Sequence, residues 1–288
     1  MEKIALQGKA KIRDLRADDW EFVRSCDESL RWGFSQDGPQ FLFSTSHSAF
    51  ISEFRQKPIG MVFGFKWGND VGWIGLLVVK QEFRRQGIGR ALLIRQVEEL
   101  SNAKCSTIGL DAVPDMIQFY KSEGFFPAQR SLRLNRPWKT GKLHKSVSLA
   151  KKDDLSTLVT LDNDLTNLDR TRLLKSTLKC FPGKILIYTS KNTIAGYMAY
   201  RHRPDLLQVG PWMTRSPEVA EDMLQHLLHS LDLEAKMIRV GALEGSTAIK
   251  ILKKLGFIVV FSSQRMYWGT TPQFPADSFV CIGDPAWS

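Results

Sequence analysis

An internal repeat constrains the fold of this chain more than any other feature of its sequence. “PIGMVFGFKW” followed by “GWIGLLVV” in the first half matches “TIAGYMAYRH” followed by “DLLQVGPWMT” in the second half. Further along, “AKCSTIGLDAVPDMIQFYKSEGF” matches “AKMIRVGALEGSTAIKILKKLGF”, so Gly256 falls on Gly124. The copies lie about 133 residues apart. Because a repeated order of patterns indicates a repeated structural unit, the sequence predicts two similar units in tandem.

Each copy combines strand patterns with helix patterns. Apolar runs separated by the turns “KP” and “GND” predict an antiparallel meander. Apolar positions recur at helical spacing from Gly89 to Leu100, and a second helix is predicted to end at Gly124. The segment “RWGFSQDGPQFLFSTS” mixes turn residues with aromatics and is predicted to be a linking region. The fold class is therefore α/β (α+β with a mixed sheet), as two tandem domains, each a mostly antiparallel sheet flanked by helices.

The boundary between the two units is predicted from a polar stretch rich in lysine, “RPWKTGKLHKSVSLAKKDD”. We place it within about five residues of Gly141. The predicted domains are thus residues 1–140, the amino-terminal domain, and residues 141–288, the carboxyl-terminal domain.

Composition narrows the class of protein. The formal net charge of +10 divides evenly, because residues 1–140 hold 21 basic and 16 acidic residues and the remainder holds 19 and 14. No run of like charges marks a tail or a nucleic-acid footprint, so a nucleic-acid partner is not expected. The four isolated cysteines argue against a structural zinc site or a disulfide framework. With no predicted signal peptide or membrane span, we expect a cytoplasmic protein without a membrane partner.

The stretch “FRRQGIGRALL” is the strongest candidate for a binding loop. Gly87 and Gly89 stand before the predicted helix, where backbone N–H groups can converge on an anion without Cβ atoms in the way. A Rossmann fingerprint would need a third glycine at the position of Leu92, and a Walker loop would need Gly-Lys-Ser/Thr. A glycine turn without a ligand stays open as an alternative. The second copy is shorter here and has the glycine-free “TRSPEVAEDML”.

The order strand “GLLVV”, Arg84-x-x-Gly87-x-Gly89, amphipathic helix, strand and “FYKSEGF” resembles the GNAT superfamily of acyl-CoA-dependent N-acetyltransferases. The resemblance covers residues 10 to 135, and the second half resembles the same family with its signature lost. It implies acetyl-CoA as co-substrate and no metal. The implied cofactor-binding residues lie on the preceding strand and on the glycine loop: Leu77, Val78, Val79, Arg84, Arg85, Gln86, Gly87, Ile88, Gly89, Arg90 and Ala91.

The resemblance also implies a catalytic acid. Tyr120 stands four residues before Gly124, where many family members carry the tyrosine that protonates the leaving thiolate. The simpler alternative is a core aromatic beside Phe119. The second copy has Leu252 at the matching position, which predicts one active site and one acetyl-CoA per chain. An asparagine often found seven residues before this tyrosine is Val113 here, a departure from the family pattern.

The general base has three candidates. Asp111 ends the strand after the glycine helix, Glu28 precedes the segment expected to cover the cleft, and His47 has a suitable intrinsic pKa. Each of the two carboxylates has the alternative of being a solvated surface group, and His47 that of being a polar loop residue.

The acceptor is expected to meet “RWGFSQDGPQF”, because in this fold the segment after the first helix forms one wall of the acceptor site. Trp32, Phe34 and Asp37 would receive an apolar body with a cationic amine, unless they plug the core. The predicted function is transfer of an acetyl group to a small-molecule or amino-acid-like amine. Two alternative functions stay open: a peptide or protein N-acetyltransferase, and a non-catalytic CoA-binding module. A homodimer is a possible assembly.

Overall fold

The computed structural model describes residues 10–30, 38–68, 70–203, 205–231, 237–272 and 279–282. Within these ranges, no helix combines the length and the apolar character needed to cross a membrane.

The first half contains six strands and four helices in the described ranges. In chain order they are β1 (Lys11–Asp14), α1 (Trp20–Leu30), α2 (Gly38–Thr45), β2 (Ser48–Phe54), β3 (Lys57–Trp67), β4 (Val71–Val79), α3 (Ile88–Asn102), β5 (Thr107–Ala112), α4 (Ile117–Ser122) and β6 (Phe126–Pro137). The predicted meander is β2, β3 and β4, which pair antiparallel in that order.

Helix α2 corrects the prediction that this stretch only links other elements. It contacts α6 (Thr171–Cys180) of the second half, and Phe41 packs on Phe181 with ring centroids 5.2 Å apart. Phe41 and Leu42 are almost fully buried as a result. The short, glycine- and proline-containing segment has little helix propensity of its own, so distant packing decides its structure.

The second half repeats the order of elements found in the first. Its elements are β7 (Val147–Leu149), α5 (Leu155–Thr166), α6, β8 (Ile185–Ser190), β9 (Thr193–His202), β10 (Leu207–Thr214), α7 (Pro217–Ser230), β11 (Met237–Leu243), α8 (Thr247–Lys254), β12 (Ile258–Gly269) and β13 (Phe279–Cys281). The repeated fold confirms the prediction of two similar α/β units.

The helix ends show how closely the two copies agree. Gly124 and Gly256 have φ values of 87° and 84°, in the left-handed region that favours glycine. In each copy the next residue, Phe125 or Phe257, donates its N–H to a carbonyl five residues earlier at 3.0 Å. Both phenylalanines are buried, so the same helix stop places the same apolar anchor twice.

The two halves exchange their last strands. The described strands form one sheet in the order β1-β2-β3-β4-β5-β12-β6-β11-β10-β9-β8-β7, with β13 added to β10. Strand β12 therefore completes the sheet of the first half beside β5, and β6 completes that of the second half beside β11. Ser131 and Ser263 pair with each other at the centre of the exchange.

A buried ion pair joins the halves at this exchange. The Arg265 Nη2 atom of β12 lies 3.2 Å from Asp111 Oδ2 of β5, and the two side chains are 2% and 1% exposed. Ser131 of β6 donates a hydrogen bond of 2.8 Å to Asp111 Oδ1, and the Arg265 guanidinium lies over the Trp73 ring. Arg133 of β6, also buried, lies 4.0 Å from the same Asp111 oxygen. Since an unpaired buried charge is costly, the two halves each contribute a cation to this site, and Arg265 makes the closer contact.

We expect Arg265→Met to lower the free energy of unfolding by about 1.5–3 kcal/mol, because it removes the guanidinium hydrogen bonds to the buried Asp111 carboxylate, which keeps Ser131 and the more distant Arg133. Urea denaturation measures this loss. The matched control is Arg130→Met, since Arg130 also pairs across the halves, with Glu244, but both side chains are exposed. Its denaturation midpoint should stay close to that of the unsubstituted protein. Equal losses in the two variants would contradict the assignment.

Candidate active site

Strands β4 and β5 separate partway along their length. They pair in parallel from Val71 and Thr107 to Trp73 and Gly109, whereas β4 continues beside β3 as far as Val79. The last residues of β4 therefore present one edge of main-chain N–H and C=O groups that no described strand covers. Leu77, Val78 and Val79 are only half-buried there. This opening, which we call the first groove, can hold an extended ligand that bonds to the backbone.

A bulge in β4 shapes the first groove. The β3–β4 register shifts between Met61 and Phe63, and Leu76 takes a φ of 54°. A leucine in the left-handed region costs on the order of 1–2 kcal/mol, so the surrounding structure must hold it there. Its side chain is buried. No sequence pattern predicts a left-handed leucine, so the bulge in β4 was not predicted.

The glycine loop lies at the carboxyl end of β4. Helix α3 begins after Gly87, whose φ is 81°, and no side chain caps the helix. Arg84 donates from Nε to the Val79 carbonyl at 2.9 Å, and Arg85 has a φ of 60°. The first amides of α3 are thus available to an anion, with the positive end of the helix dipole behind them.

The backbone requires glycine at only one of the two glycine positions in this loop. Gly87 needs its left-handed backbone, although a Cβ there would meet nothing within 4 Å. Gly89 has no such φ, and a Cβ there would make only an ordinary contact of 3.7 Å with Val79. Packing within the protein therefore does not require glycine at position 89. The protein crowds neither glycine, so this side of the loop is open to an anion.

The three arginines of the loop are exposed, and two of them, Arg84 and Arg90, bond to other residues of the protein. Besides the Arg84 bond, Arg90 forms an ion pair of 3.0 Å with Glu123. These side chains supply positive charge near the loop, while the helix amides supply directed hydrogen bonds.

Tyr120 lies in α4, within the same core cluster as Ile88 at the start of α3 and Ala112 at the end of β5. Its ring packs on Phe119 and Phe125, with centroids 5.1 and 5.9 Å away. Burial raises the pKa of its phenol to about 12, so the group keeps its proton at neutral pH. Both its predicted role as acid and its alternative as a core aromatic agree with this position.

The three candidate bases occupy different surroundings. Asp111 is buried and bonded to Arg265 and Ser131, contacts that favour a structural role over that of a general base. Glu28 is exposed near the end of α1. None of the three is shown to act as base, and no group of three or more His, Cys, Asp and Glu in the described ranges could hold a metal.

His47 lies away from the glycine loop. Its charged neighbours are Arg172, Glu99 and Lys66, and burial, with Arg172 adding to it, lowers the pKa of its imidazole. Lys66 donates to the carbonyl of Ala103, just after α3. Because α3 is about 22 Å long, His47 and the loop stand near opposite ends of this helix.

His47 and Lys66 instead line an open cleft of about 670 Å³ between α2 and α6. Arg172, Lys175 and Lys179 of α6 line it as well. The cleft is distinct from the first groove, which ends at the glycine loop. The predicted acceptor residues Trp32, Phe34 and Asp37 lie outside the described residues.

The second half lacks a free helix end at the corresponding place. Helix α7 begins with Pro217, which has no N–H, and Ser216 Oγ accepts a hydrogen bond from the Val219 N–H at 3.3 Å. Glu218 adds negative charge to the first turn. At the position of Tyr120, Leu252 is fully buried. This helix end does not suit an anion.

Sequence patterns also missed the residues that reach the first half from the second. Arg265 and Tyr267 of β12 lie beside β5, paired with Asp111 and Gly109. The repeat offers one signal, because Arg265 matches Arg133 in the first copy. It does not reveal that the strands are exchanged.

Family comparisons match both halves. A profile described as “Acetyltransferase (GNAT) family” matches residues 10–125, and one described as “Acetyltransferase (GNAT) domain” matches residues 158–278. Together they cover more than half of the chain.

Two curated relatives match different extents of the chain. Holothin acyltransferase of Pseudoalteromonas sp. (strain SANK 73390) is 20% identical over 269 residues, 89% of this chain and 87% of the relative. N-alpha-acetyltransferase 30 of Dictyostelium discoideum is 27% identical over 139 residues, 46% of this chain and 72% of the relative.

Solved structures share the whole architecture. A Pyrococcus horikoshii structure described as an acetyltransferase superposes with a TM-score of 0.81 at 23% identity, covering 100% of this chain and 99% of that one. A tandem GNAT protein from the clavulanic acid biosynthesis pathway superposes with a TM-score of 0.66 at 13% identity, covering 92% and 100%. At these identities the likeness shows the fold. With the profile matches in both halves, the chain belongs to the GNAT superfamily of N-acetyltransferases, as a tandem-domain acyltransferase with a degenerate carboxyl-terminal domain.

Proposed function

We propose that this protein transfers an acetyl group from acetyl-CoA to the amine of a small-molecule or amino-acid-like acceptor, using the first half alone. The observation that carries this proposal is the first groove, which is open along β4 and ends at the uncapped start of α3. The corresponding helix of the second half is capped by its own Ser216.

Different parts of the first half would bind the two parts of acetyl-CoA and supply the proton. The edge of β4 at Leu77 to Val79 would bind the pantetheine amides, and the loop from Arg84 to Ala91 would bind the pyrophosphate. Acetyl-CoA supplies a thioester whose C–S bond breaks as the acceptor nitrogen forms the new C–N bond. The amine loses one proton in this exchange and the thiolate gains one. Tyr120 would donate that second proton, since burial keeps its phenol protonated.

The acceptor class rests on the relatives. Holothin acyltransferase aligns with nearly the whole chain and is named for a compound, which supports a small acceptor. N-alpha-acetyltransferase 30 aligns with about half of the chain and favours a peptide amino terminus as the second candidate. A mass-spectrometric screen of amines and peptides with acetyl-CoA separates the two. If the protein binds acetyl-CoA but releases no free CoA with any of these acceptors, the result would support a non-catalytic module instead.

Substitution of Gly89 tests the loop. Gly89→Arg should weaken acetyl-CoA binding by about tenfold or more, because its side chain fills the space against the helix amides. Gly89→Ala is the matched control and should bind nearly as well as the unsubstituted protein, since a Cβ there makes only an ordinary contact. Calorimetry measures both dissociation constants. Unchanged binding by Gly89→Arg would refute the loop assignment.

Removal of the Tyr120 hydroxyl tests the acid. Tyr120→Phe should lower kcat by about 10²-fold and leave KM for acetyl-CoA nearly unchanged, because the ring and its packing remain. Tyr200→Phe is the control, since its hydroxyl donates to the Gly183 carbonyl in the second half and should not affect kcat. A purely core role for Tyr120 predicts equal kcat values in both variants.

The pH dependence of kcat follows from the raised pKa of Tyr120. A raised pKa keeps the acid protonated as pH increases, so kcat should not fall between about pH 7 and about pH 10 through loss of this proton. Stopped-flow assays across this range test the expectation. A descending limb near neutral pH that Tyr120→Phe abolishes would contradict it.

A further inference from the structure

The second half contains a groove in the place that corresponds to the first groove, and a strand fills it. Strands β10 and β11 pair in parallel from Leu207 and Ile238 to Val209 and Val240. Beyond that point β13 lies antiparallel to β10, with Trp212 beside Cys281 and Thr214 beside Phe279. Ile282 then bridges to Gly241 of β11. The segment from Phe279 to Ile282 thus occupies the opening between β10 and β11.

The segment fits this opening closely. Cys281 is fully buried and Ile282 is 4% exposed. Cys281 belongs to a core cluster with Trp212 and Leu252, the residue that replaces Tyr120 in this half. An extended apolar peptide suits such a site, because main-chain hydrogen bonds hold it and side chains enter apolar pockets.

Gly241 provides an independent sign of this fit. Its φ is not among the left-handed ones, so its backbone does not require glycine. A Cβ there would lie 2.7 Å from Ile282 Cγ1, closer than real Cβ contacts. Within the described residues, room for Ile282 is what glycine provides at this position.

We propose that the groove between β10 and β11 is a binding site for an extended apolar peptide, and that its occupant is the chain's own segment Phe279 to Ile282. A pantetheine arm also carries amides that bond as a strand does, so the peptide takes the place that acetyl-CoA takes in the first half. That parallel rests on the proposed function, whereas the peptide site itself does not. A segment of the same chain thereby occupies the groove of the second half, so acyl-CoA cannot bind there.

Peptide binding to the full-length chain tests the site directly. The double variant Cys281→Asp, Ile282→Asp should release the segment, because two carboxylates cannot be buried in an apolar groove. A labelled peptide with the sequence of residues 277–284, “DSFVCIGD”, should then bind about tenfold or more tightly than it binds the unsubstituted protein, whose groove is filled. Fluorescence anisotropy measures both. Equal binding to the two proteins, or equal binding of a peptide carrying the same two aspartates, overturns the proposal.

Thiol protection gives a second test that does not need the double variant to fold well. Gly241→Ala should speed alkylation of Cys281 about tenfold or more in the native protein, because the added Cβ displaces Ile282. Peptide mass mapping reports Cys26, Cys105 and Cys180 in the same sample, and these buried thiols should keep their protection. An unchanged alkylation rate at Cys281, or an equal increase in the rate at all four cysteines, overturns the proposal. Neither readout depends on acetyl transfer, so failure of the proposed enzymatic function would leave both tests intact.

Discussion

The contact between Asp111 and Arg265 is the interaction on which the arrangement of the two halves depends. A carboxylate at the end of β5 is buried, and the guanidinium that lies 3.2 Å from it comes from β12 of the other half, while Arg133 of its own half lies 4.0 Å away. Ser131, which donates to the same carboxylate, lies on β6, the strand that the first half contributes to the second half's sheet. Because desolvated charges require partners, strand exchange and charge compensation support each other. The halves are therefore one folded unit in the described part of the chain.

The same fold produces one open groove and one filled groove. In both halves a parallel pair of strands follows an antiparallel meander, and the pair separates after three residue pairs. The uncapped start of α3 gives the first groove an anion site at its end. In the second half α7 is capped by Ser216 and β13 pairs with β10. A small number of local changes thus separates a half with an open groove from a half whose groove is filled by a strand.

Sequence patterns predicted the repeat, the α/β class, the first-half meander and the helix after the glycine loop, and the structure confirms them. The linking-region prediction was wrong for α2, whose helix depends on α6. The structure gives the loop a geometry suited to phosphate, while the roles of Tyr120, Asp111 and Glu28 stay predictions. Leu76 and Arg265 were missed because neither a left-handed leucine nor an exchanged strand leaves a local pattern.

The sequence by itself determined two copies of one α/β unit and a glycine loop kept in only the first copy. Periodicity, helix stops and turn glycines act over a few residues, so these features can be recognised from local order. Only the tertiary structure decided which strand completes which sheet, that Arg265 of the other half pairs with Asp111, and that residues 279–282 fill the groove between β10 and β11. These outcomes depend on the energies of contacts between residues far apart in the chain. Hydrogen bonding, burial and charge pairing select them only once the whole sheet is assembled.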